Sequence, residues 1–205
     1  MPNEREWKRY FPHPKKTLQA LGLKRDMVFV DLGCGYGTFT IPAAEIVGRK
    51  GRVYAMDLDP KMVKSVIRRS RSKRLTNVKA LVRDITTLGS SRSKKFVDED
   101  DQGARIKADF VLLANVIHGT KHRVALLKFV SRAFLLRKSK SGNRGRIAIL
   151  NWKVEKTPRG PPTRIRPTEE QTASYLLKVG FHSPLILQVP PYHYAVIAEA
   201  YCYLA

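Results

Sequence analysis

The chain is expected to fold as an α/β protein on a doubly wound, mostly parallel sheet of seven strands. Three observations predict this. Short β-branched and aromatic runs alternate with helical patterns along the 205 residues. The first run, Val28-Phe-Val-Asp-Leu, ends in a tight turn with glycines at alternate positions. The last two runs are joined by a link too short for a crossover helix.

Taken in order, Val28–Leu32 has the composition of a buried strand. Gly33, Gly35 and Gly37 then form a turn with little room for side chains, and a helix is expected over 38–48. Arg52-Val-Tyr-Ala-Met-Asp57 predicts a second strand, followed by a helix over 60–74. Asp59-Pro60 reads as its cap with proline at the first helical position, and Asp26 as a turn former. Val78–Val82 predicts a third strand, closed by Arg83-Asp84. A fourth over 109–114 runs into Asn115-Val-Ile-His118. A helix over 121–137 and a strand over 146–151 come next. Thr168 with Glu170-Gln171 opens a helix over 168–179 in the manner of a capping box. Strands over 183–188 and 194–200 flank Val189-Pro-Pro-Tyr-His193, so the sheet should carry one antiparallel strand at its end.

Length and composition fit one domain over 1–205, with an N-terminal extension over 1–16 and a polar surface-loop insertion over 89–107. Residues 137–146 are basic and glycine-containing, as expected of a connector. Two cysteines make no disulfide framework, and both Cys34 and Cys202 read as small apolar fillers. Nothing has metal-ligand spacing. No apolar run reaches the length of a membrane span, and the start Met-Pro-Asn-Glu-Arg-Glu-Trp has no secretory pattern, so a cytoplasmic location is expected.

The glycine spacing narrows the ligand. A dinucleotide turn wants G-x-G-x-x-G so that a pyrophosphate can approach the helix start, yet Thr38 occupies the third glycine site here. Asp31 stands two residues before Gly33, where a carboxylate would repel pyrophosphate and suit an ammonium group. Asp57, 26 residues beyond Asp31, closes the second strand, where an acid can accept both ribose hydroxyls of an adenosine. A nicotinamide-dependent oxidoreductase is therefore disfavoured.

This Asp-x-Gly-x-Gly-x-Gly pattern resembles motif I of the class I S-adenosylmethionine-dependent methyltransferases, and the resemblance runs over roughly residues 17–200. It implies a Rossmann-like fold and S-adenosyl-L-methionine as cofactor. It also implies a site made of Asp31, Gly33, Cys34, Gly35, Gly37, Thr38, Asp57, Leu58, Asp84, Ile85 and Asn115, with Asp84 and Ile85 at the adenine. Asn115-x-x-His118, then Asn151-Trp-Lys and Gly160-Pro-Pro, resemble the ubiquinone/menaquinone-biosynthesis (type 11-like) group, whose members act on small molecules. The Asn/Asp-Pro-Pro-Tyr/Phe motif of amino-directed base methyltransferases is missing after the fourth strand, as is the cysteine nucleophile of pyrimidine carbon-5 enzymes. The chain departs from the type 11-like group in its charge and in its 89–107 loop.

The acceptor side should lie over the fourth and fifth strands and the hairpin, among Asn115, His118, His122, Trp152, Tyr192, His193 and Tyr194. His118 suits either a general base or a brace for the following helix. His193 suits either a catalytic pocket residue or a fixture of the hairpin turn.

Charge points elsewhere. The chain holds 39 Lys and Arg against 17 Asp and Glu, for a net +22. Residues 61–74 hold seven bases and no acid, and residues 137–166 hold ten bases against Glu155. A polyanion such as RNA is one expected partner, and a merely solvated basic surface is the other reading. Three functions stay open: small-molecule methylation, RNA (tRNA or rRNA) methylation, and a non-catalytic cofactor-binding module. Oligomeric state leaves no trace in the sequence.

Overall fold

The computed structural model describes Trp7 and residues 9–85, 106–135 and 144–200. Its strands are β1 (Val28–Leu32), β2 (Arg52–Asp57), β3 (Val78–Val82), β4 (Phe110–Ala114), β5 (Arg146–Trp152), β6 (Phe181–Val189) and β7 (His193–Ala200). Its helices are α1 (Pro14–Ala20), α2 (Thr40–Val47), α3 (Pro60–Ser72), α4 (Arg123–Ala133) and α5 (Glu169–Lys178), with short 3₁₀ turns at Ile117–Gly119 and Thr163–Ile165.

The seven strands form one sheet in the order β3-β2-β1-β4-β5-β7-β6. β1 to β5 are parallel, and β7 runs antiparallel to both β5 and β6. The antiparallel strand therefore enters between β5 and β6 and leaves β6 on the edge. The short 189–193 link forces this arrangement, since only antiparallel neighbours can be joined without a crossover. The surface loop expected over 89–107 and the connector over 137–146 lie mostly outside the described residues.

Alternation along the strands divides the core into two layers. In β4, Val111 and Leu113 face Leu126, Val130 and Leu176 of α4 and α5. Phe110 and Leu112 face the layer of Leu18, Ala43 and Val47 from α1 and α2. α3 lies on β2 and β3 beside α2, with Val66 against Ala55 and Cys34. Helices thus cover both faces, as a parallel sheet requires.

The expected helix starts are present. The Asp59 side chain accepts from the Lys61 N–H, with Pro60 at the first position. Thr168 and Gln171 cap α5 reciprocally. α1 has no sequence expectation behind it: its seven residues carry one buried apolar side chain, Leu18, too few to display a period.

Tyr194 ties α5 to the sheet. Its buried hydroxyl donates to the Pro167 carbonyl at 2.6 Å and lies 2.8 Å from the Thr172 hydroxyl. Burial pushes its pKa up to about 12, so it stays a neutral donor. Tyr194→Phe keeps the ring but strands these partners, at an expected cost of about 1–3 kcal/mol. Urea unfolding should show a lower midpoint with an unchanged slope.

Candidate functional site

Parallel strands gather their carboxyl ends on one edge, and the crevice there is the natural ligand position. A cleft of about 690 Å³ opens at that edge. One wall is the turn after β1, contributing Gly33, Cys34, Gly35, Tyr36 and Thr38. Asp57 and Leu58 after β2, Met62 of α3 and Ile85 after β3 form the next wall. Ala114, Asn115, Val116 and His118 follow β4. Trp7, Phe11, Phe39, Trp152 and the 159–161 segment close the other side.

The turn is stapled to β2. The N–H groups of Gly33 and Cys34 both reach the Met56 carbonyl, at 2.8 and 3.0 Å. The Gly35 N–H donates to Asp57 Oδ2 at 2.8 Å, and the Asp59 N–H to Oδ1 at 3.0 Å. A carboxylate offers about four acceptor sites, so Asp57 keeps capacity on its cleft side. Gly33 has φ 81, and a Cβ there would lie 2.4 Å from Val116 Cγ2. Gly35 has φ 52 with nothing within 4 Å of where a Cβ would stand, which leaves its backbone open to a close ligand.

Asp31 departs from expectation. It is 1% exposed and lies beneath the turn, where Thr40 Oγ1 donates to its Oδ2 at 2.6 Å. Its place within β1 points the carboxylate under the glycines, away from the rim. The other oxygen, Oδ1, is buried without a hydrogen-bond partner. Burial raises its pKa to about 7, and Asp57 adds to the rise against the pull of the Thr40 hydrogen bond. Burial, with Asp31 and Asp57, pushes the Cys34 thiol far up, so it is no nucleophile. Gly37 is buried beside Val66, and Asp84 is half-buried outside the cleft lining, which leaves Ile85 as the lining member of that pair.

On the acceptor side, Asn115 takes a left-handed conformation (φ 58) that ends β4. Its Nδ2 lies 3.2 Å from His193 Nε2, and its Oδ1 is buried without a partner. His193 corrects the expectation of a catalytic pocket residue. It is 0% exposed, packed between Phe11 and Trp152, because β7 turns it inward from the sheet. Burial, then Arg166 and Lys153, push its pKa down to about 3, so it is neutral and holds Asn115. Tyr192 stacks on Trp152 outside the cleft, Tyr194 is fully buried, and His122 is exposed at the start of α4. His118 alone among the histidines lines the cleft; burial, then Arg166 and Arg123, lower its pKa to about 4.

Arg166 is a residue that no sequence motif singles out. It is 8% exposed and donates to the carbonyls of Pro161, Lys153 and Glu155 and to Thr157 Oγ1, at 2.8–3.0 Å. Its guanidinium stands 5.5 Å from the Trp152 ring. It thereby fixes the segment that brings Arg159, Gly160 and Pro161 to the cleft. Trp7 and Phe11, from the expected N-terminal extension, cover the same side.

These residues fit an amino-acid nucleoside: a carboxylate at the second strand, an open glycine backbone, apolar walls and two orphaned buried oxygens. Among the described residues no group of His, Cys, Asp and Glu could hold a metal ion, and no helix is long and apolar enough to cross a membrane.

Comparisons with known proteins agree with this construction. The structure resembles an S-adenosylmethionine-dependent methyltransferase from Aquifex aeolicus, with a TM-score of 0.75, 24% identity and coverage of 96% of this chain and 93% of that one. It also resembles Aeropyrum pernix fibrillarin solved with natively bound S-adenosyl-L-methionine (TM-score 0.58, 16% identity, 86% and 67% covered). In sequence, a probable cobalt-precorrin-6B C(15)-methyltransferase (decarboxylating) of Saccharolobus solfataricus is 27% identical over 130 residues, which is 51% of this chain and 65% of that protein. Aklanonic acid methyltransferase DauC of Streptomyces sp. (strain C5) is 37% identical over 60 residues, 29% of this chain and 27% of that protein. The chain thus spans between about a quarter and two thirds of these curated relatives. The Methyltransf_31 family, described as a methyltransferase domain, matches residues 23–142, more than half of the chain, and the chain belongs to that family.

Proposed function

We propose that the chain transfers a methyl group from S-adenosylmethionine to a small organic acceptor. The observation that carries this reading is the cleft itself. Its glycine turn and Asp57 stand on one side, and its other side is walled by Trp7, Phe11, Trp152 and Pro161. When bound, the cofactor supplies a methyl group already activated by a sulfonium sulfur. The chain's own residues then bind, orient and exclude water. Asp57 accepts the ribose hydroxyls while Leu58, Met62 and Ile85 offer apolar walls to the base. Asn115 presents its unpartnered oxygen toward the amino-acid end, and Asp31 acts on that end from beneath the glycine turn.

His118 is neutral at pH 7 and accepts a hydrogen bond from the acceptor. With its pKa near 4 it orients the acceptor better than it removes a proton. Relatives named for aklanonic acid and cobalt-precorrin-6B support a small acceptor. An RNA acceptor is the second reading, and the net charge of +22 favours it. Incubation with labelled cofactor and separated small-molecule, RNA and protein fractions distinguishes the two, with label expected in the first.

Asp57→Ala should weaken S-adenosylhomocysteine binding by about 1.5–3 kcal/mol, on the order of 10- to 100-fold in Kd, read by calorimetry. His118→Ala should leave that Kd unchanged and lower turnover. The Asp31 prediction follows from linkage. Its folded pKa, about 7, lies above the ordinary value of 3.8, so the free protein binds the extra proton and loses stability as pH rises between them. The α-ammonium of the ligand favours the carboxylate and expels that proton. Affinity for S-adenosylhomocysteine should therefore rise with pH up to about 7 and then level off. Asp31→Asn should flatten both profiles, checked by calorimetry and thermal unfolding between pH 5 and 8.

A further inference from the structure

The outer face of α3 is a strongly charged surface that the methyl-transfer reading leaves unused. At 100° per residue, Lys61, Lys64, Arg68 and Arg71 fall within a sector of about 80°. All four are exposed. The opposite face, with Met62, Val63 and Val66, is buried against the sheet. No acid occurs in α3, and none of these four side chains has a hydrogen bond or ion pair with a described residue. Asp59, just before the helix, turns its carboxylate to the Lys61 N–H. Other cations nearby are engaged: Lys73 pairs with Glu45 at 2.6 Å, and Arg69 donates to the Tyr36 carbonyl. The stripe is thus a row of four charges about 15 Å long with no ion-pair partner among the described residues, starting beside the cleft at Met62.

Holding like charges in a row is unfavourable unless a counter-charge of matching form meets them. We propose that this stripe docks the phosphate backbone of a nucleic-acid duplex. The alternatives fit less well. An anionic membrane would call for apolar side chains to insert, and the sector contains none. Single strands are held by aromatic stacking platforms, and α3 has no aromatic residue. A duplex offers phosphates at regular spacing and asks only for cations along a rigid element. Binding is therefore independent of base sequence. It is also independent of the methyl-transfer reading, because none of the four side chains lines the cleft.

The test is fluorescence anisotropy with a labelled 24-base-pair DNA duplex across 50–300 mM KCl. Each phosphate neutralised contributes about −0.9 to the slope of log K against log salt. The triple variant Lys64→Gln/Arg68→Gln/Arg71→Gln should reduce the slope by about 2.7. A control with the same charge change elsewhere, Lys121→Gln/Lys128→Gln/Lys178→Gln, should leave most of the slope in place. Thermal unfolding and S-adenosylhomocysteine calorimetry on both variants separate a docking defect from misfolding or cofactor loss. Equal slopes in the two variants would overturn the proposal. So would tighter binding to a single strand of the same length, or stripe-dependent capture by phosphatidylserine vesicles in place of the duplex.

Discussion

The glycine turn after β1 is the constraint on which the rest of the site depends. It is held between two strand ends by hydrogen bonds from Gly33, Cys34 and Gly35 to Met56 and Asp57. Those bonds exist only because β1 and β2 run parallel in this register, with Leu32 opposite Met56. Val116 packs against Gly33 where any side chain would collide, so β4 also enters at a fixed distance. A slip in either pairing would open the turn and move Asp57 with it. The half of the cleft proposed for the cofactor is thus a consequence of sheet register.

The acceptor half is built differently. No strand pairing defines the 153–161 segment; one buried guanidinium does. Four hydrogen bonds from Arg166 gather three carbonyls and the Thr157 hydroxyl from along the segment, and the planar fork suits that task where a lysine would not. Burial is the larger cause of the low pKa of His118 and His193, and the same guanidinium adds to it, so the arginine that shapes the wall also helps to keep two imidazoles neutral.

Much of this was legible in the sequence because the signals are local. Strand composition, glycine spacing, the Asp59-Pro60 start and the Thr168 capping box each depend on neighbours within a few residues, and each appears where expected. What was not legible depends on contacts across the chain. Asp31, whose place before Gly33 suggested a partner for an ammonium group, lies under the turn where Thr40 donates to it. His193, which suited either a pocket residue or a fixture of the hairpin, is sealed beneath Asn115. Arg166 was one base among ten in a stretch that suggested a surface for polyanions. Its burial follows from Trp152 and four partners as far as thirteen residues away, which no spacing rule reveals.

The distribution of charge follows from the same division. In and beneath the cleft, burial drives Asp31, Cys34, His118 and His193 toward their uncharged forms. Under the proposed reading Asp57 supplies the carboxylate that faces the cleft, and a second group beneath the glycine turn can answer the positive charge of the ligand. Asp31 is suited to that part, since its pKa near neutrality lets it ionise on demand. The positive charge that the composition announces is displaced to the outside, where α3 carries it as a row.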